Sequence, residues 1–173
     1  ATVQRQVYVF LAVVLAAIAA TSLFLIRSNR VVFADLAASA DERRDLARQW
    51  IEVARGTPLR IVVHVGANCL ADMRLLAAQA QHLGAIPISA FAPSYFKPRS
   101  IDTLISCCVE VASAASETPF YYYDIPAMTG IFLPMAEFLD KAPARIPNLA
   151  GLKFTNPDLM AYLQCGQSGK WDV

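Results

Sequence analysis

The fold is decided by two stretches, FYYYDIPAMTG at residues 120–130 and GLKFT at residues 151–155. Each stretch is typical of a strand that runs into a loop. Side chains two residues apart share one face of a strand, so Tyr121 and Tyr123 share a face of the first one. Parallel neighbours lie only about 4.8 Å apart. The pattern therefore predicts that Tyr123 and Lys153 meet at one end of a sheet.

A lysine and a tyrosine at neighbouring strand ends suit Schiff-base chemistry on a keto acid. Lys153 is expected in a buried strand, beside the apolar residues Leu152 and Phe154. Such surroundings disfavour the charged ammonium form and so favour the neutral amine. The neutral amine is the form that attacks a ketone. The protonated imine withdraws electrons, so a carbon–carbon bond beta to it breaks and leaves an enamine. The hydroxyl of Tyr123 is the group expected to move the proton that the carbonyl oxygen needs.

The two stretches and three others together resemble the N-acetylneuraminate lyase branch of the dihydrodipicolinate synthase superfamily, from about residue 40 to about residue 165. The three others are DERR at residues 41–44, IVVHVGA at 61–67 and APSYFKP at 92–98. The resemblance implies a class I aldolase that cleaves N-acetylneuraminate to N-acetylmannosamine and pyruvate. It implies no metal and no cofactor, because the lysine itself is the electron sink.

The same resemblance assigns candidate site residues. It gives Lys153 the imine-forming role and Tyr123 the proton-transfer role. Thr155, which alternation places on the face of Lys153, matches a sugar-contacting position, and Tyr95 matches a tyrosine that some members use at a subunit interface. Both are candidate substrate-binding residues, and Asp124 is expected to tune the site. The implied partners are pyruvate and a sugar aldehyde or sialic acid, in a cytoplasmic and typically homo-oligomeric enzyme.

Two parts of the family pattern are missing from this sequence. The Gly-Thr-Thr-Gly-Glu loop that holds the pyruvate carboxylate does not precede the helix beginning near Ser39, and the downstream Gly-x-Asp-Glu segment is absent. A closed eight-unit barrel typically needs about 250 residues, whereas this chain has 173. The expected fold is therefore α/β, an incomplete (β/α)8 TIM barrel with about four central strand-helix units, truncated as written.

Residues 1–38 depart from this pattern and form the first predicted domain, ahead of a partial TIM-barrel aldolase domain at 39–173. They contain an uncharged run, VYVFLAVVLAAIAATSLFLI at residues 7–26, between Arg5 and Arg27. A run of this length predicts a hydrophobic N-terminal helix that spans or contacts a membrane and anchors the chain there. The resemblance favours a second interpretation, an altered or buried segment, because family members have their first barrel strands at this place.

From residue 39 onward the predicted strands and helices alternate, which implies a parallel sheet with helices outside it. Ser39 and Glu42 fit a capping box at the first helix. The predicted helices cover residues 39–55, 70–83, 100–115 and 133–139. The predicted strands cover residues 60–65, 86–91, 120–124 and 149–154, although Pro87 is unusual in a buried strand.

Composition and spacing argue against several other kinds of site. A formal net charge of +1 without a basic cluster argues against a nucleic-acid partner. The cysteines lack the paired spacing of a zinc site or a disulfide framework, which predicts reduced thiols and no metal. They are Cys69, Cys107, Cys108 and Cys165. His64 is expected to be a hydrogen-bonded core histidine and His82 a helix-surface residue.

Two classes of function stay open on the sequence alone. The first is a Schiff-base aldolase of the N-acetylneuraminate lyase type, with a dihydrodipicolinate synthase-like pyruvate aldolase as its variant within the superfamily. The second is a noncatalytic remnant or interaction protein, truncated or tethered to a membrane. The spacing of Tyr123 and Lys153 favours the first class, and the missing carboxylate loop favours the second.

Overall fold

The computed structural model describes residues 41–85 and 87–173. The predicted membrane segment at residues 7–26 lies outside them, as does the boundary predicted at residue 38. The chain divides into two units, Ala1–Arg43 and Arg44–Val173, and all four strands lie in the second. Within the described residues, no helix has the length and apolar character needed to cross a membrane.

Four parallel strands form a sheet in the order β1, β2, β3, β4. The strands are β1 (Val63–His64), β2 (Ile88–Ala90), β3 (Phe120–Asp124) and β4 (Leu149–Phe154). Because each strand pairs with the next one in the chain, right-handed crossovers place the connecting helices on one face of the sheet. This is the arrangement of a segment of a (β/α) barrel, so the predicted fold class is confirmed.

The helices occupy the connections between the strands. They are α1 (41–54), α2 (Leu70–His82), α3 (Ile101–Ser113), α4 (Pro126–Thr129), α5 (Met135–Lys141) and α6 (Leu159–Gly166), with a 3-10 turn at Ala142–Ala144. The four predicted helices correspond to α1, α2, α3 and α5. The first two strands are shorter than predicted, and α4 and α6 were not predicted.

Pro87 explains one of the short strands. It lies just before β2, and its carbonyl accepts a hydrogen bond from the Val63 N–H at 3.1 Å. Since proline has no N–H, it contributes an acceptor to the edge of the ladder but cannot continue the ladder as a donor.

The two additional helices follow local signals at their ends. Helix α4 has Pro126 at its first turn and ends at Gly130, whose φ of 64° is readily adopted by glycine. Helix α6 is capped by Asp158, whose carboxylate accepts hydrogen bonds from the N–H groups of Met160 and Ala161 at 3.0 Å each. Both helices are short, so hydrophobic periodicity alone gives little sign of them.

The core lies between the sheet and the helices. Strand β3 shows the alternation clearly, because Phe120 and Tyr122 are buried while Tyr121 and Tyr123 point to the opposite face. The Tyr122 ring packs against Phe138 of α5 with 5.2 Å between the ring centroids. Burying a side chain such as Phe contributes about 1.5–3 kcal/mol of transfer free energy. Burial of Phe120 and Tyr122 therefore determines that Tyr121 and Tyr123 lie on the face of β3 opposite the helices.

Asp172 pairs with the outer edge of β4. The Leu152 N–H donates to the Asp172 carbonyl at 2.8 Å, and Gly151 and Asp172 form a parallel bridge. A Cβ atom at Gly151 would overlap the Asp172 carbonyl oxygen. Glycine at position 151 is therefore what allows this close approach.

Candidate active site

A cavity of about 700 Å³ opens on the sheet face that the core does not cover. All four strands, or the residues flanking them, contribute side chains to it. The lining residues are Arg60, Val62, His64, Pro87, Ser89, Tyr121, Tyr123, Leu152, Lys153, Phe154, Asp172 and Val173. A concave site with apolar walls and a few polar groups is the usual form of a small-molecule site.

Tyr123 and Lys153 meet in this cavity. They are paired across β3 and β4, and the Lys153 Nζ atom lies 3.8 Å from the centroid of the Tyr123 ring. At this distance the electron-rich face of the ring attracts a cation on the nitrogen. The predicted meeting of phenol and amine is thus observed, and their chemical roles stay predictions.

Lys153 is exposed rather than buried, which corrects the expectation from its apolar neighbours. Strand alternation is the reason, because Leu152 is buried while the next side chain points to the opposite face. The amine is therefore open to a small molecule entering the cavity.

His64 also lines the cavity, half-buried at the end of β1. Its Nδ1 atom lies 3.2 Å from the Ser89 hydroxyl oxygen. The ring centroid lies 4.8 Å from that of Phe91 and 5.7 Å from that of Tyr123, the latter with an interplanar angle of 88°. The predicted hydrogen bond is present, but the histidine belongs to the cavity and not to the helix-facing core.

Tyr121 and Asp172 form a second polar pair in the cavity. Tyr121 lies two residues before Tyr123 on the same face of β3. The Tyr121 hydroxyl donates to an Asp172 carboxylate oxygen at 2.8 Å. Burial raises the pKa of Tyr121, Asp172 raises it further, and the charge of Arg60 opposes the rise. Sequence reasoning missed this pair because nothing local links residues that are 51 positions apart.

Asp124 lies on the face of β3 opposite the cavity, with Phe120 and Tyr122, and its expected influence on the site stays a prediction. Its side chain is buried on the helix side of β3, and burial raises the pKa of its carboxyl to about 6, while a hydrogen bond from Asn156 opposes the rise. Within the described part of the chain, its Oδ2 atom has no hydrogen-bond partner. We expect the charge of this carboxylate to lower the stability of the fold.

Thr155 lies beyond the end of β4 and does not line the cavity. Its hydroxyl donates to the Asp124 carbonyl at 2.8 Å, and its N–H donates to the same oxygen at 3.0 Å. Strand β4 ends at Phe154, one residue before Thr155. The sugar-contact role stays a prediction for a residue whose hydroxyl already has a backbone partner.

Tyr95 lies in a different place from Lys153. Its side chain is 78% exposed and packs edge-on against Phe96 at 4.9 Å. Both rings line a separate cavity of about 620 Å³ beside Lys97 and Phe132. The structure therefore does not bring Tyr95 together with the other candidate site residues.

The described residues hold no group of three or more His, Cys, Asp or Glu side chains that could bind a metal ion. All four cysteines are free. Burial raises the pKa values of the Cys108 and Cys165 thiols, which keeps them protonated in the core.

Comparison with known families places these features in context. The profile of the Dihydrodipicolinate synthetase family matches residues 35–170. The N-acetylneuraminate lyase A of Xenopus laevis is 44% identical over 130 residues, which cover 75% of this chain and 43% of that protein. The human N-acetylneuraminate lyase is 41% identical over 130 residues, which cover 75% of this chain and 41% of that protein. The chain thus spans less than half the length of these relatives.

Solved structures agree with this comparison. The N-acetylneuraminate lyase, or sialic acid aldolase, of Aliivibrio salmonicida aligns with a TM-score of 0.74 at 40% identity, covering 78% of this chain and 45% of that one. The lyase of Proteus mirabilis gives the same TM-score and coverage at 35% identity. The resemblance predicted from the five sequence segments is confirmed.

Proposed function

Since the chain belongs to the Dihydrodipicolinate synthetase family, we propose that its cavity is the Schiff-base site of a class I aldolase of the N-acetylneuraminate lyase type. The observation that carries the proposal is the placement of the Lys153 Nζ atom 3.8 Å from the centroid of the Tyr123 ring in an open cavity. The matched N-acetylneuraminate lyases support the choice of this branch of the family.

The reaction follows from these two side chains. Neutral Lys153 attacks the keto carbon of the substrate, and loss of water leaves a protonated imine on the same nitrogen. With N-acetylneuraminate, the carbon–carbon bond beta to the imine breaks, N-acetylmannosamine leaves, and the remaining enamine is protonated and hydrolysed to pyruvate. The Tyr123 hydroxyl gives its proton to the keto oxygen that leaves as water, and the phenolate so formed then takes the proton from the hydroxyl that becomes the departing carbonyl.

The ring of Tyr123 has a second role in this scheme. The protonated imine carries its positive charge on the nitrogen that the structure places against the ring. An aromatic face attracts a cation at this position, so the ring stabilises the charged intermediate.

Substrates and assembly follow the relatives and are part of the proposal. Pyruvate and a sugar aldehyde, or the sialic acid that they form, are the substrates we expect, in a cytoplasmic homo-oligomer. The sequence lacks the Gly-Thr-Thr-Gly-Glu loop, so we expect pyruvate to bind weakly to the chain as written.

Borohydride trapping tests the proposal. The 173-residue chain is incubated with pyruvate and borohydride, and the reduced adduct is located by peptide mass analysis. We expect a pyruvyl group on Lys153, no adduct in Lys153→Met, and trapping about 100-fold slower in Tyr123→Phe, the factor that a lost proton-transfer group commonly costs.

Lys170 provides the matched control, because its Nζ atom also lies over an aromatic ring, 4.8 Å from the centroid of Trp171. Lys170→Met should trap pyruvate at the unaltered rate. Folded wild-type chain that gives no adduct at saturating pyruvate would contradict the aldolase proposal and favour a noncatalytic protein.

A further inference from the structure

His64 is held in place through Ser89. The two residues are paired across β1 and β2, and the Nδ1 to Oγ distance is 3.2 Å. Ser89 is only 3% exposed, so water does not readily replace this bond. The buried Ser89 hydroxyl therefore fixes the orientation of the His64 imidazole.

The imidazole ring is also confined by its surroundings. The Phe91 ring lies beside it at 4.8 Å, and the Tyr123 ring is perpendicular to it at 5.7 Å. A Cβ atom at Gly66 would lie 2.5 Å from His64 Nε2 and 3.1 Å from Phe91 Cδ1. Glycine at position 66 thus leaves the space that the imidazole needs.

These contacts form a connected row across the sheet, from Ser89 to His64, from His64 to the Tyr123 ring, and from that ring to the Lys153 amine. Each contact restricts the next group. A perpendicular aromatic pair is the favoured arrangement, because the positive edge of one ring meets the negative face of the other.

We propose that His64 is a positioning residue for Tyr123. It holds the phenol ring in the orientation in which one face of the ring lies against the Lys153 amine. The inference rests on the proposed function for the role of Lys153 as the imine-forming residue. The placement of the Tyr123 ring by His64 can be tested without that function. In this arrangement His64 acts on the reacting nitrogen through the Tyr123 ring.

Three variants separate the parts of this arrangement. Ser89→Ala keeps the imidazole but removes the Ser89 hydroxyl, and His64→Phe keeps an aromatic ring without the hydrogen bond to Ser89. We expect trapping of pyruvate at Lys153 to slow about fivefold in each, the factor that one lost hydrogen bond is worth. His64→Asn keeps a group that can bond Ser89 but has no ring, and it should be slower still. His82→Phe, at the exposed histidine of α2, should trap at the wild-type rate.

A double-mutant cycle distinguishes positioning from a general loss of structure. In a Tyr123→Leu background the ring is gone, so Ser89→Ala should cause no further slowing. If Ser89→Ala slows trapping by the same factor with and without the Tyr123 ring, the positioning role is overturned.

A second readout keeps the two proposals distinct. If the wild-type chain traps no pyruvate, the aldolase proposal fails. The His64 inference is then tested separately, by NMR of the chain labelled with 13C-tyrosine. The Tyr123 ring signal, assigned with Tyr123→Phe, should shift in Ser89→Ala and His64→Phe but not in His82→Phe. An unchanged signal in the first two variants would overturn the inference.

Discussion

At the scale of single residues, Asp124 carries a carboxyl whose charge is costly in the fold. Its pKa is raised from an ordinary 3.8 to about 6 by burial. The folded state therefore binds a proton more readily than the unfolded state between these values, so stability falls as pH rises from about 4 to about 6 and stays lower above that range.

Replacing Asp124 with Asn should remove this pH dependence. The amide has nearly the same shape and no charge, so urea unfolding at pH 7 should show Asp124→Asn to be more stable than wild type, by less than about 3 kcal/mol. At pH 4 the two proteins should be nearly equal in stability. A variant that is less stable at pH 7, or equally dependent on pH, would show that the buried carboxylate is compensated.

At the scale of secondary-structure elements, Asn148 connects the end of α3 to the start of β4. Its Nδ2 group donates to the carbonyls of Ala112, Ala115 and Thr118 at 3.3, 3.0 and 2.8 Å. Asn148→Ala removes the donor that these three partly buried carbonyls share, and we expect a loss of about 1–3 kcal/mol in the free energy of unfolding, measured with urea.

Asn68 offers a matched control for this prediction. Its Oδ1 atom also accepts three hydrogen bonds, from the Ser94 N–H, the Ser94 hydroxyl and the Tyr95 N–H, but at an exposed site. Water can replace these bonds, so Asn68→Ala should cost less than half as much as Asn148→Ala. Equal losses would mean that burial does not decide the difference.

The elements also show how far the sequence could be used to predict the site. Parallel strands and a period of two were enough to place Tyr123 against Lys153, because the stretches that carry them are long and unbroken. The pairing of His64 with Ser89 depends on the register of two very short strands, which no local pattern encodes. The alternation of β4 ends at Phe154 and does not extend to Thr155, whose role stays a prediction.

At the scale of the whole molecule, the edge of β4 depends on Gly151. Adding a methyl group there should push Asp172 away, since a Cβ atom would overlap its carbonyl oxygen. We expect Gly151→Ala to release residues 171–173 from the sheet and to make them several-fold more sensitive to carboxypeptidase, because digestion requires an unpaired chain end.

Gly166 provides the control for this substitution, since a Cβ atom there would meet nothing within 4 Å. Gly166→Ala, in the last turn of α6, should leave the rate of digestion unchanged. Equal digestion of the Gly151→Ala variant and wild type would mean that the pairing of Asp172 is not limited by this contact.

The hydrogen bond between Tyr121 and Asp172 has a consequence for the order of folding. The two residues are 51 positions apart, and parallel pairing across such separations closes large loops, which is entropically slow. Strands β3 and β4 can pair first, bringing Tyr123 and Lys153 together while the far side of the cavity is still open. The reactive pair is therefore expected to form before the hydrogen bond between Tyr121 and Asp172, because the loop that it closes is shorter.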